Sequence, residues 1–198
     1  DLHIIDKRDT KSGIGKKYFI NKNCLCLDDW GAGNRYARYV IQSLPVPTDK
    51  KIYSNILDLK YLVLDPELKK VAVKKSGKIK NILISFGGND PDGLTEYTLN
   101  ALSGFPVQIH VVRNIFSSQK KVTGDGIYYY DSMPSLIPLY RICDTVITSF
   151  GMTCFEALSR NLTVIKINKS GYHNKLAEEV SSIHNFGLRK TEKDFLEF

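Results

Sequence analysis

The stretch Ser149-Phe150-Gly151-Met152-Thr153 opens directly into the helix-forming run Cys154-Phe155-Glu156-Ala157-Leu158. A helix N-terminus presents unpaired amide groups and about half a unit of positive charge, which suits a phosphate or pyrophosphate. Gly151 removes the side chain that would block an anion, and Thr153 adds a hydroxyl. Glu156 falls one helical turn further in, where its carboxylate can accept two vicinal ribose hydroxyls. The plain alternative is a first-turn glutamate that stabilises the helix dipole. A second stretch, Ser85-Phe86-Gly87-Gly88-Asn89-Asp90, ends a short apolar run. Its paired glycines let a ligand reach the backbone, and Asn89 and Asp90 can hydrogen-bond or cap a following helix. An ordinary strand-to-helix turn has the same composition.

His173 follows the Gly171 turn at the start of a helical pattern and is the one histidine placed for a cleft. Asn174 beside it is an N-cap or a ligand contact. His3 and His110 fall in strands and read as structural residues, and His184 is expected to close a helix. The sequence contains no HExxH pair, Walker loop, GxSxG elbow or CxxC pair, so no metal and no cofactor are expected. Cys24 and Cys26 alternate on one face of a strand, and Cys143 and Cys154 stand apart without metal-ligand spacing. The four read as reduced core thiols, from which a cytoplasmic location is expected.

The elements that must position these residues follow a regular pattern from Lys80 onward. Asn81–Phe86, Val107–Val112, Gly126–Tyr130, Thr145–Ser149 and Leu162–Ile167 read as strands. Leu94–Leu102, Ser135–Cys143, Met152–Arg160 and His173–His184 have helical spacing. Strands alternating with helices imply βαβ units and a doubly wound parallel sheet, with ligands outside the carboxyl ends of the strands. The front differs: Leu2–Ile5, Cys24–Leu27 and Val40–Gln42 are short strand candidates with little helix between them. Residues 1–70 therefore read as the incomplete second half of an N-terminal α/β domain plus a crossing linker, and 71–198 as an α/β domain. The opening on Asp1 within a strand suggests a piece cut from a longer chain.

Composition bounds the rest. The 198 residues are 42% hydrophobic and 25% charged, which is globular rather than disordered, and no apolar run is long enough to span a membrane. The net charge of +7 draws much of its excess from Lys69, Lys70, Lys74, Lys75, Lys78 and Lys80, set against Asp65 and Glu67. That segment reads as a solvated linker, and without interleaved stacking aromatics no nucleic-acid partner is expected. A modest positive field suits an anionic small substrate.

The segment IPLYRICDTVITSFGMTCFEALSRNLTVIKINKSGYHNKLAEEV resembles the C-terminal domain of GT-B nucleotide-sugar proteins, above all the UDP-sugar hydrolase family of pseudaminic acid biosynthesis. ILISFGGNDPDGLTEYTLNAL is similar to that family's strand–glycine–helix loop. The front of the chain, LHIIDK through YLVLDPEL, resembles the end of its first domain. The resemblance implies a UDP-sugar held between two domains. Gly151, Met152 and Thr153 would cradle the pyrophosphate, Glu156 would hold the ribose, and Gly87, Gly88 and Asn89 would approach the phosphates and sugar, with Ser149 a further substrate-binding candidate. Asp131–Pro134 would border the uracil, Asn174 corresponds to the family's asparagine, and His173 is a further substrate-binding candidate. Phe150 and Met152 depart from the family's small residues in the phosphate turn, and Lys175 stands where it has glutamine.

The family's Gly-rich loop with its catalytic histidine has no counterpart here, which leaves His173 as the one candidate base. Three functions follow as expectations. The first is a UDP-sugar hydrolase, or its nucleotide-binding part, releasing UDP from a diacetamido-trideoxy sugar nucleotide. The second is a GT-B glycosyltransferase using a UDP-sugar donor, similar to the peptidoglycan N-acetylglucosaminyl transferase. The third is a non-catalytic nucleotide-sugar module. The expected complement is a missing N-terminal half-domain or a fused sugar-activating enzyme domain.

Overall fold

The computed structural model describes residues 1–20, 22–46, 53–73, 77–87, 90, 92–113, 122–180 and 184–188. The chain divides into two compact units, Asp1–Val63 and Leu64–Phe198.

The first unit is a parallel sheet of four strands in the order β1 (Leu2–Asp6), β2 (Asn23–Leu27), β3 (Tyr39–Gln42) and β4 (Ile56–Leu57). Helix α1 (Ser12–Tyr18) connects β1 to β2, an element the sequence reading left out because its SGIGKKY composition lacks apolar periodicity. Phe19, Cys24, Cys26 and Val40 form the core on one face. On the other face Ile4 pairs with Leu25 and Leu25 with Tyr39, yet Ile4 is 62% and Tyr39 44% exposed. Parallel sheets are normally covered on both sides, and this one is covered on one among the described residues.

The acids that follow β2 are structural. Asp28 Oδ1 accepts from the amides of Ser43 (2.6 Å) and Leu44 (2.9 Å). The fully buried Asp29 accepts from the amides of Thr10 (3.0 Å) and Gly31 (2.8 Å). Each carboxylate gathers the loop of a neighbouring strand, satisfying amides that a loop over a sheet end otherwise leaves unpaired. Gly15, Gly31 and Gly33 are fixed by packing, since a Cβ on any of them would run into backbone of the facing loop.

The second unit carries a six-stranded parallel sheet in the order β10–β9–β8–β5–β6–β7. Its strands are β5 (Asn81–Ile84), β6 (Gln108–Arg113), β7 (Ile127–Asp131), β8 (Thr145–Thr148), β9 (Thr163–Asn168) and β10 (His184–Leu188). The helices are α2 (Leu94–Ala101), α3 (Ile137–Ile142), α4 (Met152–Leu158) and α5 (Gly171–Glu178). The α/β class with parallel sheets is thus as the sequence indicates. Central strands β5 and β8 are buried almost throughout, as runs rich in isoleucine and valine require when both faces are covered.

Two details differ from the sequence reading. Helix α5 ends at Glu178, and His184 opens β10 instead of closing a helix. The run HNFGL pairs with β9 through a register shift between Asn185 and Gly187, an irregularity that erased the strand signal. The lysine-rich segment also holds more structure than a solvated linker. Pro66–Lys70 forms a 3-10 turn capped by Asp65, and it buries Leu68 and Val71 while its lysines stay exposed. Arg160 Nη1 donates to the carbonyl of Val71 at 3.1 Å.

Candidate functional site

In the second unit the chain steps from β5 outward through β6 to β7. It then returns to lay β8 on the other side of β5 before continuing to β9 and β10. The strand order reverses between β5 and β8, and in open α/β sheets ligands bind outside the carboxyl ends of the strands at such a point. The two turns leaving those ends are Ser85–Gly87 and Ser149–Gly151. Both glycine-bearing stretches singled out in the sequence therefore arrive at one place, joined by the Ser85 amide donating to the Ile147 carbonyl at 3.1 Å.

Packing does not account for the glycines there. A Cβ on Gly87 or Gly151 would meet nothing within 4 Å. Gly87 has φ +83°, which favours glycine whatever the space, whereas Gly151 is extended and any residue could adopt its backbone. Gly151 precedes α4, whose first turn has no side-chain cap. Its leading amides are thus unclaimed by a capping side chain, the arrangement an anion satisfies. Met152 is exposed, while Ser149 and Thr153 are half-buried. The Ser149 carbonyl accepts from Cys154 Sγ at 3.3 Å and holds the turn against the helix. Gly88 and Asn89 lie outside the described residues.

Glu156 does not stand alone. Its Oε2 accepts a hydrogen bond of 2.8 Å from the hydroxyl of Tyr140, a fully buried residue of α3. Burial, and then the Glu156 charge, push the Tyr140 phenol far above its usual range, so it remains a proton donor at every relevant pH. The carboxylate is held in one orientation with one oxygen engaged, and Thr153 lies near the same hydroxyl. Tyr140 carried no sequence signal beyond its place in an apolar helix.

At the carboxyl end of β9 the side chains of Asn168, Asn174 and Asn185 form a polar network. Asn168 Nδ2 donates to Asn174 Oδ1 (3.0 Å) and Asn185 Oδ1 (2.8 Å), and Asn174 Nδ2 donates to Glu178 Oε1 (2.7 Å). The Phe150 amide donates to Asn168 Oδ1 at 3.4 Å, which links this network to the β8 turn. Asn174 is thereby committed to partners within its own unit. His173 is half-buried, with Nδ1 2.8 Å from Ser170 Oγ, the side chain that caps α5.

Two lysines that the sequence reading passed over flank the site. Lys166, in β9, is fully buried; its Nζ donates to the Ala177 carbonyl at 2.9 Å and lies 5.3 Å from the centre of the Phe150 ring. Burial lowers its pKa to about 8. Lys169 Nζ donates to the Phe86 carbonyl at 2.6 Å. A lysine inside TVIKIN is a visible anomaly in an apolar strand and could have flagged Lys166; nothing local marks Lys169. The cysteines are free and buried, and burial pushes the Cys154 thiol up to about 11, so it is no nucleophile near neutral pH.

Asp131–Pro134 begins at the last residue of β7, the edge strand two places beyond β5, and leaves its carboxyl end. Asp131 there pairs with Arg113 at 2.8 Å. A separate apolar cavity of about 540 Å³, lined by Ile82, Phe105, Val107, Thr145, Ile147 and Thr163 among others, lies toward the opposite, amino ends of the strands. Among the described residues no group of histidine, cysteine and acidic side chains could hold a metal ion, and no helix is long and apolar enough to cross a membrane.

Solved structures similar to this chain include two that are glycosyltransferases. MurG of Acinetobacter baumannii superposes with a TM-score of 0.60 over 89% of this chain and 57% of its own, at 13% identity. SnogD from Streptomyces nogalater gives 0.51 over 86% and 55%, at 12% identity. The glycotransferase of kitacinnamycin gives 0.56 over 84% and 47%, at 15% identity. The fold is GT-B-like, and the chain spans about half the length of these enzymes. An uncharacterized protein of Methanocaldococcus jannaschii is 33% identical over 138 residues, which is 61% of this chain and 27% of that protein. No family model matches the chain.

Proposed function

We propose that the second unit binds a UDP-sugar at the reversal between β5 and β8. The observation that carries this reading is the meeting of the Gly87 and Gly151 turns there, each open where a side chain would stand, with Glu156 one turn into α4. The diphosphate takes the leading amides of α4, and the ribose takes the free acceptor positions of the Glu156 carboxylate. Calorimetric titration with UDP and with CMP as control tests it. Binding of UDP alone supports the reading, and equal or absent binding of both rejects it.

For the protein as a whole, the resemblance to the hydrolases of pseudaminic acid biosynthesis favours release of UDP from a diacetamido-trideoxy sugar nucleotide. In that chemistry a base activates water for attack at the anomeric carbon while the departing diphosphate is stabilised. The α4 terminus suits the second task; the family's histidine loop for the first has no counterpart in these residues. Glycosyl transfer from a UDP-sugar is the second reading, supported by the likeness to MurG. The third, a nucleotide-sugar module within a larger protein, is supported by the Methanocaldococcus relative, of which the matching segment is 27%. In the whole protein, UDP release measured with and without candidate acceptors separates hydrolysis from transfer, and UDP binding without release under either condition favours the module.

A further inference from the structure

Lys169 is the first residue beyond β9, and Phe86, whose carbonyl receives its ammonium at 2.6 Å, lies just beyond β5. Strand β8 runs between those two. The lysine side chain therefore crosses the carboxyl end of β8, where the Ser149–Gly151 turn begins, and ends beside the residue that precedes Gly87. Both turns are open at their glycines, so an anion seated between them lies within reach of this ammonium. The nearby Lys166 cannot serve, because it is fully buried and its amine is bound to Ala177.

We infer that Lys169 is the residue that selects a diphosphate at this site, turning from the Phe86 carbonyl to a phosphate oxygen when the anion binds. The inference rests on the nucleotide reading above and assigns the charge that reading leaves unassigned. A bond from an ammonium to a phosphate oxygen is charge-assisted on both sides, which a bond to a carbonyl is not. The bond also connects ligand binding to the Phe86–Gly87 turn, since the same amine holds that turn before the anion arrives.

The test is calorimetric titration of the full chain and its Lys169→Met and Lys169→Arg variants with UDP, uridine and inorganic pyrophosphate. Thermal unfolding of each variant checks that it is folded. Lys169→Met is expected to weaken UDP and pyrophosphate roughly tenfold or more, with uridine unchanged, and Lys169→Arg to restore most of the loss. Equal weakening of uridine and UDP would mean that the lysine is only a tether for the turn, and unchanged pyrophosphate binding would overturn the inference outright. Pyrophosphate binding that depends on Lys169 while UDP binds no better than pyrophosphate would reject the nucleotide reading and keep the lysine's role. A wild-type chain that binds neither anion rejects both.

Discussion

Tyr140 and Glu156, sixteen residues apart on different helices, are joined by a 2.8 Å hydrogen bond that fixes the carboxylate one turn into α4, past the Ser149–Gly151 turn. The donor is fully buried and the acceptor half-buried, so the rigid partner orients the accessible one. On the nucleotide reading Tyr140 is a positioning residue for ribose recognition.

Tyr140→Phe is expected to weaken UDP roughly tenfold or more, about 1.5–3 kcal/mol as befits a hydrogen bond to a charged group, while 2′,3′-dideoxy-UDP changes little. Glu156→Ala should have the larger effect in the same sense. Calorimetry on the two single variants and the double variant checks this. A double variant that loses the sum of the two single losses would show that the pair does not act together.

Gly87 and Gly151 should answer differently to alanine. Gly151→Ala meets no protein atom and needs no unusual backbone, so its unfolding midpoint should stay close to wild type while UDP affinity falls. Gly87→Ala places a Cβ at φ +83° and is expected to cost about 1 kcal/mol of stability besides. Urea unfolding beside UDP titration separates the two effects. Equal stability loss in both variants would contradict the geometry.

The buried Lys166 makes stability pH-dependent. Its folded pKa of about 8 lies below the ordinary 10.5 of an unfolded chain. Between those values the unfolded state binds more protons, and stability attributable to this residue rises with pH. Urea midpoints of wild type and Lys166→Met at pH 7, 8.5 and 10 should therefore show wild type gaining on the variant as pH increases. A constant difference would show that the amine is not desolvated.

The face of the first unit on which Leu2, Ile4 and Tyr39 are exposed should bind a hydrophobic dye such as ANS under native conditions. Replacing Leu2 and Ile4 together by lysine is expected to reduce that binding without lowering the unfolding midpoint by more than about 0.5 kcal/mol equivalent, as for surface sites. Dye fluorescence unaltered by the substitutions would place the apolar surface elsewhere.

No UDP release is expected from this chain alone on the diacetamido-trideoxy sugar nucleotide, and His173→Ala should change nothing. His173 Nδ1 is already hydrogen-bonded to Ser170, and the family's histidine loop is not among these residues. Turnover abolished by His173→Ala, followed by coupled UDP detection, would make His173 the catalytic base.

The sequence by itself determined the alternation of the second unit, because buried parallel strands such as NILI and TVIT carry consecutive branched apolar residues and are followed by glycine three positions on. It also determined the two glycine-bearing turns, since local backbone demands leave local marks. It misplaced His184 because a register shift in β10 hides a strand, and it passed over α1 and the short β4 because neither has enough apolar periodicity to stand out. Only the tertiary structure decided that the two turns share one switch point, since strand order is set by packing across the whole sheet. The partners of Glu156 and the reach of Lys169 were decided there too. Tyr140 and Phe86 lie 16 and 83 residues away from them, and a hydrogen bond between distant residues leaves no periodic trace in the chain.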